Sequence, residues 1–256
     1  MAAATKSFKA DQLAVKVYAT VRDLAADAAQ DAQKIIKEAI AAKGSAAAIL
    51  ATGNSQLEFL DAWVKLGGLD WSKVTLFHMD EYLGLPDSHS ASFRKYMKER
   101  VEAVVKPKAF HYVIGDGMEP IKECDEYERK LRAQPIDLCC LGIGENGHLA
   151  FNDPPVADFA DKRYAKIVKL DTACRQQQVG EGHFKALNDV PQYAISLTIP
   201  ALCAAKRMMA IVPEKRKAAA VKGTLKGPVS TDCPGSFLRT QAHCTLYLDA
   251  DSASQV

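Results

Sequence analysis

The chain has 256 residues, of which 48% are hydrophobic and 25% are charged, and its formal net charge at pH 7 is +2. This length and composition are typical of a globular protein with a sizeable core, and the nearly balanced charge gives no reason to expect a nucleic acid or an anionic membrane as partner. No apolar run approaches the roughly 20 residues of a membrane-spanning helix, and the first six residues contain no apolar core of a secretory signal.

Strand-like and helix-like segments alternate along the chain. The longest predicted helix covers 23–43, where apolar residues recur at helical spacing up to Gly44. Further helices are predicted from Leu57 onward and over 90–105, 121–133 and 214–225, with a short turn at 199–205. The predicted strands are 13–18, 46–51, 74–79, 136–141, 164–170, 193–197, 208–212 and 245–248. Because the alternation continues without a repeat or linker, we predict one domain over residues 1–256. Its predicted fold is α/β, with a single doubly wound, mostly parallel sheet and helices on both faces, similar to a Rossmann fold.

Two segments late in the chain are less regular. Residues 154–162 begin with two prolines and are predicted to form a loop or lid. Residues 171–183 are polar and contain two glycines, and their periodicity favours neither a helix nor a strand.

Three glycines, at 142, 144 and 147, follow the predicted strand 136–141. The backbone must turn tightly there, and His148 comes next, with Asp153 five positions later. Ligands bind at the carboxyl ends of strands in open α/β sheets, so a histidine and a carboxylate at this place suggest an acid/base group with an orienting partner. The alternative that the residues leave open is a surface turn whose histidine only caps the backbone.

Two other strand ends carry polar residues. The turn 52–55 lies between a buried strand and a helix, an arrangement that directs free backbone N–H groups and hydroxyl donors at an anion; the alternative is an ordinary loop with Ser55 as helix N-cap. Asp80 and Glu81 follow the strand 74–79. Adjacent side chains on an extended chain face opposite ways, so at most one of them enters a given site; the alternative is that both are solvated.

The seven cysteines contain no CxxC pair, and Cys139 and Cys140 lie side by side in an apolar strand. They are typical of small buried hydrophobic residues. This pattern favours a reducing cytoplasm and argues against a disulfide framework or a zinc site.

The segments 79–85 (MDEYLGL) and 142–152 (GIGENGHLAFN) resemble two motifs of the glucosamine-6-phosphate deaminase (isomerase) family, which shares a fold with 6-phosphogluconolactonases. Weaker similarity lies at 190–194, 216–218 and 227–230. The order and spacing of these segments match the family from about residue 46 to residue 249.

The resemblance implies roles for four residues near the glycine-rich turn. Asp80 matches the carboxylate that moves a proton between C2 and C1 of the sugar, and His148 matches the acid/base group that opens the sugar ring. Asn146 stands where family members have Asp or Asn. Asp153 stands where the family usually has Glu, one methylene longer, beside the histidine.

The resemblance also implies a phosphate site. The family's phosphate loop usually reads Thr-Gly-Gly-Thr-Pro, whereas this chain has Asn54 and Gln56 at two of those positions. The family carries a phosphate-binding arginine in a segment that corresponds to 175–184 here, where Arg175 is the only arginine. The other implied phosphate ligands are Thr52, Gly53, Asn54, Ser55 and Lys217.

The function implied is that of an amino-sugar phosphate isomerase-deaminase, which converts glucosamine 6-phosphate to fructose 6-phosphate and ammonia with neither metal nor cofactor. The small-molecule partner is a sugar phosphate, and the sequence does not fix glucosamine against galactosamine. The family includes monomers and hexamers, so the resemblance allows a homo-oligomer. One alternative is a 6-phosphogluconolactonase. Lactonases carry a motif similar to Gly-His-Thr-Ala-Ser-Leu-Phe-Pro at the place where this chain has the segment 147–152. The other is a non-catalytic sugar-phosphate sensor, although the chain offers no helix-turn-helix segment or basic face.

Overall fold

The structure is a computed structural model that describes residues 3–256; Met1 and Ala2, part of the stretch predicted to carry no signal, lie outside the described residues. The strands are β1 (Lys6–Ala10), β2 (Leu13–Tyr18), β3 (Ala46–Leu50), β4 (Val74–His78), β5 (Asp80–Tyr82), β6 (Ala109–His111), β7 (Leu138–Leu141), β8 (Ala165–Lys169), β9 (Tyr193–Leu197), β10 (Met208–Val212) and β11 (Cys244–Asp249). The α-helices are α1 (Val21–Lys43), α2 (Leu57–Lys65), α3 (Phe93–Met97), α4 (Ala103–Val105), α5 (Pro120–Arg132), α6 (Thr172–Gly180), α7 (Ile199–Cys203) and α8 (Ala218–Lys226). A π-helical segment, Lys98–Glu102, joins α3 to α4.

Eight strands form one sheet in the order β1-β2-β11-β10-β7-β3-β4-β6. Every neighbouring pair is parallel except the β1–β2 hairpin. This confirms the predicted α/β class with a mostly parallel sheet. The assignment of residues 1–256 to one domain stays a prediction.

Alternate residues of the central strands face two separate cores, as expected for a sheet covered on both sides. In β3, Ala46, Ala48 and Leu50 pack with buried residues of α1 and α2. Ala47 and Ile49 pack on the other face with buried residues of α5, α7 and α8. Helices therefore cover both faces, as predicted.

Three strands leave the main sheet and form a second, antiparallel sheet in the order β5-β9-β8. The strands at 164–170 and 193–197 were predicted, but their separation from the main sheet was not. β5 follows β4 after one residue, Met79, whose carbonyl accepts a hydrogen bond from the Leu197 N–H (2.8 Å). The small sheet thus holds Asp80 at the carboxyl end of β4.

Candidate active site

The site lies where the strand order reverses. β3 and β7 are neighbours, but the chain continues from β3 to β4 on one side, whereas the next main-sheet strand after β7 is β10 on the other side. The loops that leave two such strands diverge and open a crevice at the carboxyl edge of the sheet. Residues 51–55, after β3, and 142–144, after β7, line a cavity at this edge together with Asp80, His148 and Lys217.

The loop after β3 supplies one wall of the cavity. A 3-10 turn, Asn54–Gln56, leads directly into α2, so the first N–H groups of this helical segment have no partner within it. The Gln56 amide anchors the loop by donating to Ser55 Oγ and to the Ile211 carbonyl, both at 3.1 Å. Thr52, Gly53, Asn54 and Ser55 all line the cavity, as the phosphate-loop prediction requires.

The loop after β7 depends on two of its glycines. A Cβ at Gly144 would lie 2.1–2.3 Å from ring atoms of His148, so the imidazole packs directly on this backbone. Gly147 has a φ of +87°, which side-chain-bearing residues rarely adopt, and a Cβ there would also meet Cys233 Sγ at 2.7 Å. These two positions allow the loop to turn back, so that the His148 ring packs against the beginning of the loop.

His148, Asp153 and Asn146 form one hydrogen-bonded unit. His148 Nδ1 lies 3.1 Å from Asp153 Oδ1 and 2.7 Å from Asn146 Oδ1, while Asn146 Nδ2 donates to Asp153 Oδ1 at 2.9 Å. Both oxygens that face Nδ1 are acceptors, so Nδ1 carries the proton and Nε2 is left as the acceptor. Burial favours a neutral Asp153, but the bonds from His148 and Asn146 and the charge of His148 outweigh it and lower the pKa of this carboxyl. Asp153, fully buried, is therefore an ionised orienting partner for the histidine.

A buried thiol completes this group. The ligand atoms of His148, Asp153 and Cys174 lie within 4.8 Å of one another, a spacing compatible with a metal site. A metal would need the thiolate, but burial and the neighbouring Asp153 raise the pKa of Cys174 well above its ordinary value. The residues therefore fit a neutral thiol beside a hydrogen-bonded carboxylate better than they fit a metal.

Asp80 and Glu81 face opposite ways, as predicted, and both are buried. Glu81 accepts hydrogen bonds from Ser92 Oγ (2.8 Å) and from the Arg94 backbone N–H (2.9 Å), so it fixes the start of α3 and lies outside the cavity wall. Asp80 lines the cavity, and its Oδ1 is buried without a hydrogen-bond partner among residues 3–256. Burial, and then the charge of Glu81, raise its pKa well above the ordinary value. An unpaired carboxyl with a raised pKa suits a proton acceptor.

Lys217 reaches the cavity from the loop after β10. Glu214 at the start of this loop has a φ of +83°, and its N–H donates to both oxygens of the buried Asp249 carboxylate, at 3.2 and 3.4 Å. The Lys217 side chain is buried. Burial lowers its pKa, and the nearby Glu181 opposes that shift.

Helix α6 and the residue that follows it form another wall of the cavity, and the Glu181 carbonyl accepts a hydrogen bond from Asn54 of the loop 52–55 (3.4 Å). Gln177 and Glu181, four residues apart on one helix face, both line the cavity. Gln177 accepts from the Glu145 backbone N–H (2.9 Å) and donates to Glu181 Oε1 (2.7 Å). The Glu181 side chain is 5% exposed and lies 3.4 Å from Arg216. Although burial alone favours the neutral acid, His183, Lys217 and Arg216 bring the pKa of Glu181 down to about 2.

The prediction that Arg175 contacts phosphate is not supported by its position. Its guanidinium donates to the carbonyls of Leu187 (2.6 Å) and Val190 (2.9 Å), and it lies outside the cavity wall. Two residues along a helix are separated by about 200° of rotation, so Arg175 and Gln177 point in nearly opposite directions.

A profile of the protein family "Glucosamine-6-phosphate isomerases/6-phosphogluconolactonase" matches residues 19–247. The chain belongs to this family.

Among its relatives in the family, a glucosamine-6-phosphate deaminase of Exiguobacterium sibiricum is 37% identical over 205 residues, which is 80% of this chain and 79% of that protein. Glucosamine-6-phosphate deaminase 1 of Giardia intestinalis is 32% identical over 227 residues, 86% of this chain and 84% of that protein. Among solved structures, a monomeric glucosamine-6-phosphate deaminase matches with a TM-score of 0.87 at 29% identity, covering 94% of this chain and 99% of that one. A 6-phosphogluconolactonase of Thermotoga maritima has the same fold, with a TM-score of 0.74 at 18% identity, covering 92% and 98% of the two chains.

In this member of the family, one cavity brings together the loop 52–55, Asp80, His148 and Lys217, which the sequence located on four separate segments. Asn146 and Asp153 lie behind His148 and contact its imidazole. Sequence reasoning missed Gln177 and Glu181, because it did not recognise α6. Their i, i+4 spacing was the one available signal.

Proposed function

We propose that the chain is an isomerase-deaminase that converts glucosamine 6-phosphate and water to fructose 6-phosphate and ammonia. The observation that carries this proposal is the presence of two separate proton-transfer groups in one cavity. Asp80 is an unpaired buried carboxyl, and His148 is an imidazole oriented by Asp153. Deamination with isomerisation needs both groups, whereas hydrolysis of a lactone needs only one base to activate water. The relatives that are 32–37% identical and named glucosamine-6-phosphate deaminase support the same choice.

Ring opening is assigned to His148. Its Nε2 accepts the proton of the C1 hydroxyl and delivers a proton to the ring oxygen as the C1–O bond of the ring breaks, which yields the open-chain aldehyde. Asp153 holds the imidazole in the tautomer that leaves Nε2 free and stabilises the imidazolium that forms between the two transfers.

Proton transfer from C2 to C1 is assigned to Asp80. The carboxylate removes the C2 proton while the substrate's ammonium group gives up a proton to the C1 carbonyl oxygen, which yields an enolamine with a hydroxyl at C1. The carboxylate then returns its proton to C1, which leaves a protonated ketimine at C2. Water adds to the ketimine, and ammonia leaves, so that the ketose phosphate is formed. The scheme uses no metal and no cofactor.

The phosphate group is assigned to the loop 52–55 and Lys217. Backbone N–H groups at the start of a helical segment favour an anion, and the hydroxyls of Thr52 and Ser55 add donors. Lys217 supplies the positive charge. Phosphate bound at this end places the sugar carbons toward Asp80 and His148, which line the same cavity.

We also propose a cytoplasmic location, which the seven unpaired cysteines support. Within residues 3–256, no helix has both the length and the apolar character needed to cross a membrane. Self-association is a further proposal that sedimentation analysis tests directly. The structurally similar deaminase with a TM-score of 0.87 is described as monomeric.

The test is to incubate the protein with glucosamine, galactosamine and mannosamine 6-phosphates, and separately with 6-phosphogluconolactone. Ammonia and ketose phosphate are measured together. We expect equal amounts of both products from glucosamine 6-phosphate. Hydrolysis of the lactone without ammonia release would assign lactonase activity instead, and binding of the sugar phosphates without turnover would indicate a sensor.

A further inference from the structure

The carboxylate of Asp153 has more partners than orientation of a histidine requires. Its Oδ1 accepts from Asn146 and faces His148 in the catalytic loop. Its Oδ2 accepts from the Asp171 backbone N–H at 2.9 Å. Asp171 is the N-cap residue of α6. The same carboxylate therefore contacts the ring-opening histidine and the start of α6, the helix that carries Gln177 to the cavity wall.

Cys174, in the first turn of α6, is another group that faces Asp153. Its Sγ lies within 4.8 Å of ligand atoms of Asp153 and His148. The side chain is 1% exposed and otherwise packs in an apolar cluster that includes Tyr82 and Phe151. The Asp153 carboxylate is a charged acceptor close to this weak S–H donor.

The Asp153 carboxylate is fully buried, and its Oδ2 has its hydrogen-bond donor at the start of α6 and not in its own loop. A buried carboxylate that lacks donors is costly. The Asp171 N–H at the start of α6 supplies one bond, and Cys174 Sγ lies beside the carboxylate in the first turn of the same helix.

We propose that Cys174 is a positioning residue, whose thiol donates to Asp153 and so holds that carboxylate, and through it His148, in the orientation used for ring opening. This inference rests on the proposed function for its catalytic consequence. The positioning itself can be measured without turnover. The competing description of Cys174 is that of an apolar filler with no role in the hydrogen bonds.

The two descriptions predict opposite answers to the question of which variant, Cys174→Ala or Cys174→Ser, departs further from the parent protein. If Cys174 only fills space, Cys174→Ala is tolerated and the buried hydroxyl of Cys174→Ser disturbs the packing. If Cys174 is a donor, Cys174→Ala removes the hydrogen bond and Cys174→Ser keeps it. Removing the donor leaves more negative charge on Asp153 for the imidazolium, so Cys174→Ala raises the pKa of His148. The other groups around Asp153 and His148 are Asn146 and Asp171, together with Asp80, Glu181 and Lys217 in the same cavity, and all of them are unchanged in the variants.

The experiment is a titration of the His148 ring followed by 1H–15N NMR in the unliganded protein, with kcat and KM measured alongside. We expect Cys174→Ala to raise the His148 pKa by about half a unit, which is about 0.7 kcal/mol, and to lower kcat roughly threefold with KM within about twofold. We expect Cys174→Ser to stay close to the parent in both. Cys124, buried on α5 and remote from this group, provides the matched control, and Cys124→Ala should leave the His148 titration unchanged.

Equal His148 titrations in Cys174→Ala and Cys174→Ser would overturn the proposal. A larger loss of kcat in Cys174→Ser than in Cys174→Ala would also overturn it. If the parent protein releases no ammonia while Cys174→Ala still shifts the His148 titration, the proposed function fails and the positioning role stands. If either variant does not fold, the S–H stretching bands of the parent provide a second measurement. Asp153→Asn should move one thiol band to higher frequency, and unchanged bands would overturn the proposal.

Discussion

Replacing Asp153 by glutamate, which is one methylene longer, tests how closely the loop is fitted to the shorter side chain. Asp153 is fully buried, and its two oxygens have partners at 2.9–3.1 Å on two different elements. Glutamate extends the side chain by about 1.5 Å, one carbon–carbon bond. The carboxylate would then press on the first turn of α6 or lose the bond geometry to His148. Overpacking of this kind costs about 1–3 kcal/mol, and misplacement of a catalytic group by about 1 Å can cost about a hundredfold in rate.

We therefore expect Asp153→Glu to lower kcat roughly tenfold to a hundredfold while KM changes less than about threefold. The assay is ammonia release from glucosamine 6-phosphate, with the thermal unfolding midpoint recorded for both proteins. Asp158→Glu makes the same chemical change at an exposed position of the following loop and should leave both measurements unchanged. Equal or higher activity in Asp153→Glu would refute the reasoning, because it would mean that the loop accepts the longer side chain without loss of orientation.

Three further predictions concern other parts of the cavity. Asp80→Asn should abolish deamination and should also raise the free energy of unfolding at pH 8. Because the pKa of Asp80 is raised in the folded state, its ionisation opposes folding as the pH rises above the unfolded-state pKa of about 3.9. The stability gained by Asp80→Asn should therefore vanish below about pH 4, and chemical denaturation at the two pH values measures it. Gly144→Ala places a Cβ 2.1 Å from the His148 ring and should lower kcat at least tenfold; parental kcat would contradict the described packing. Glu181→Gln removes an anion that competes for Lys217 and Arg216, so inorganic phosphate should bind roughly tenfold more tightly by calorimetry, whereas weaker binding would mean that Glu181 supports the anion site.

The sequence was most informative where strands end. The apolar strands β3, β4, β7 and β10 have strong local patterns, and the polar residues after them were correctly placed at one edge of the sheet. β5 was missed because a strand of three residues has no period to detect. β1 was missed because the hairpin turn Asp11-Gln12 lacks the glycine of a strong Asp-Gly signal, although Asp11 adopts a φ of +52°.

The failure to predict helix α6 had the largest effect on the predicted site. Its residues are mainly polar, since one face lines the cavity and only Cys174 and Gln178 are buried within it. A helix stabilised by hydrogen bonds to Asp153 and Glu145 has no apolar stripe for a periodicity argument to find. Because the helix was not recognised, Arg175 was predicted to contact the phosphate. The residues of this segment that reach the cavity are Gln177 and Glu181.

The central claim is that two separate groups move protons, His148 for ring opening and Asp80 between C2 and C1. The most direct test is to follow anomer exchange of glucosamine 6-phosphate labelled with carbon-13 at C1 by NMR, since exchange requires ring opening but no deamination. Asp80→Asn should still accelerate anomer exchange while releasing no ammonia, and His148→Gln should accelerate neither. Loss of anomer exchange in Asp80→Asn, or its retention in His148→Gln, would contradict the division of roles between the two residues.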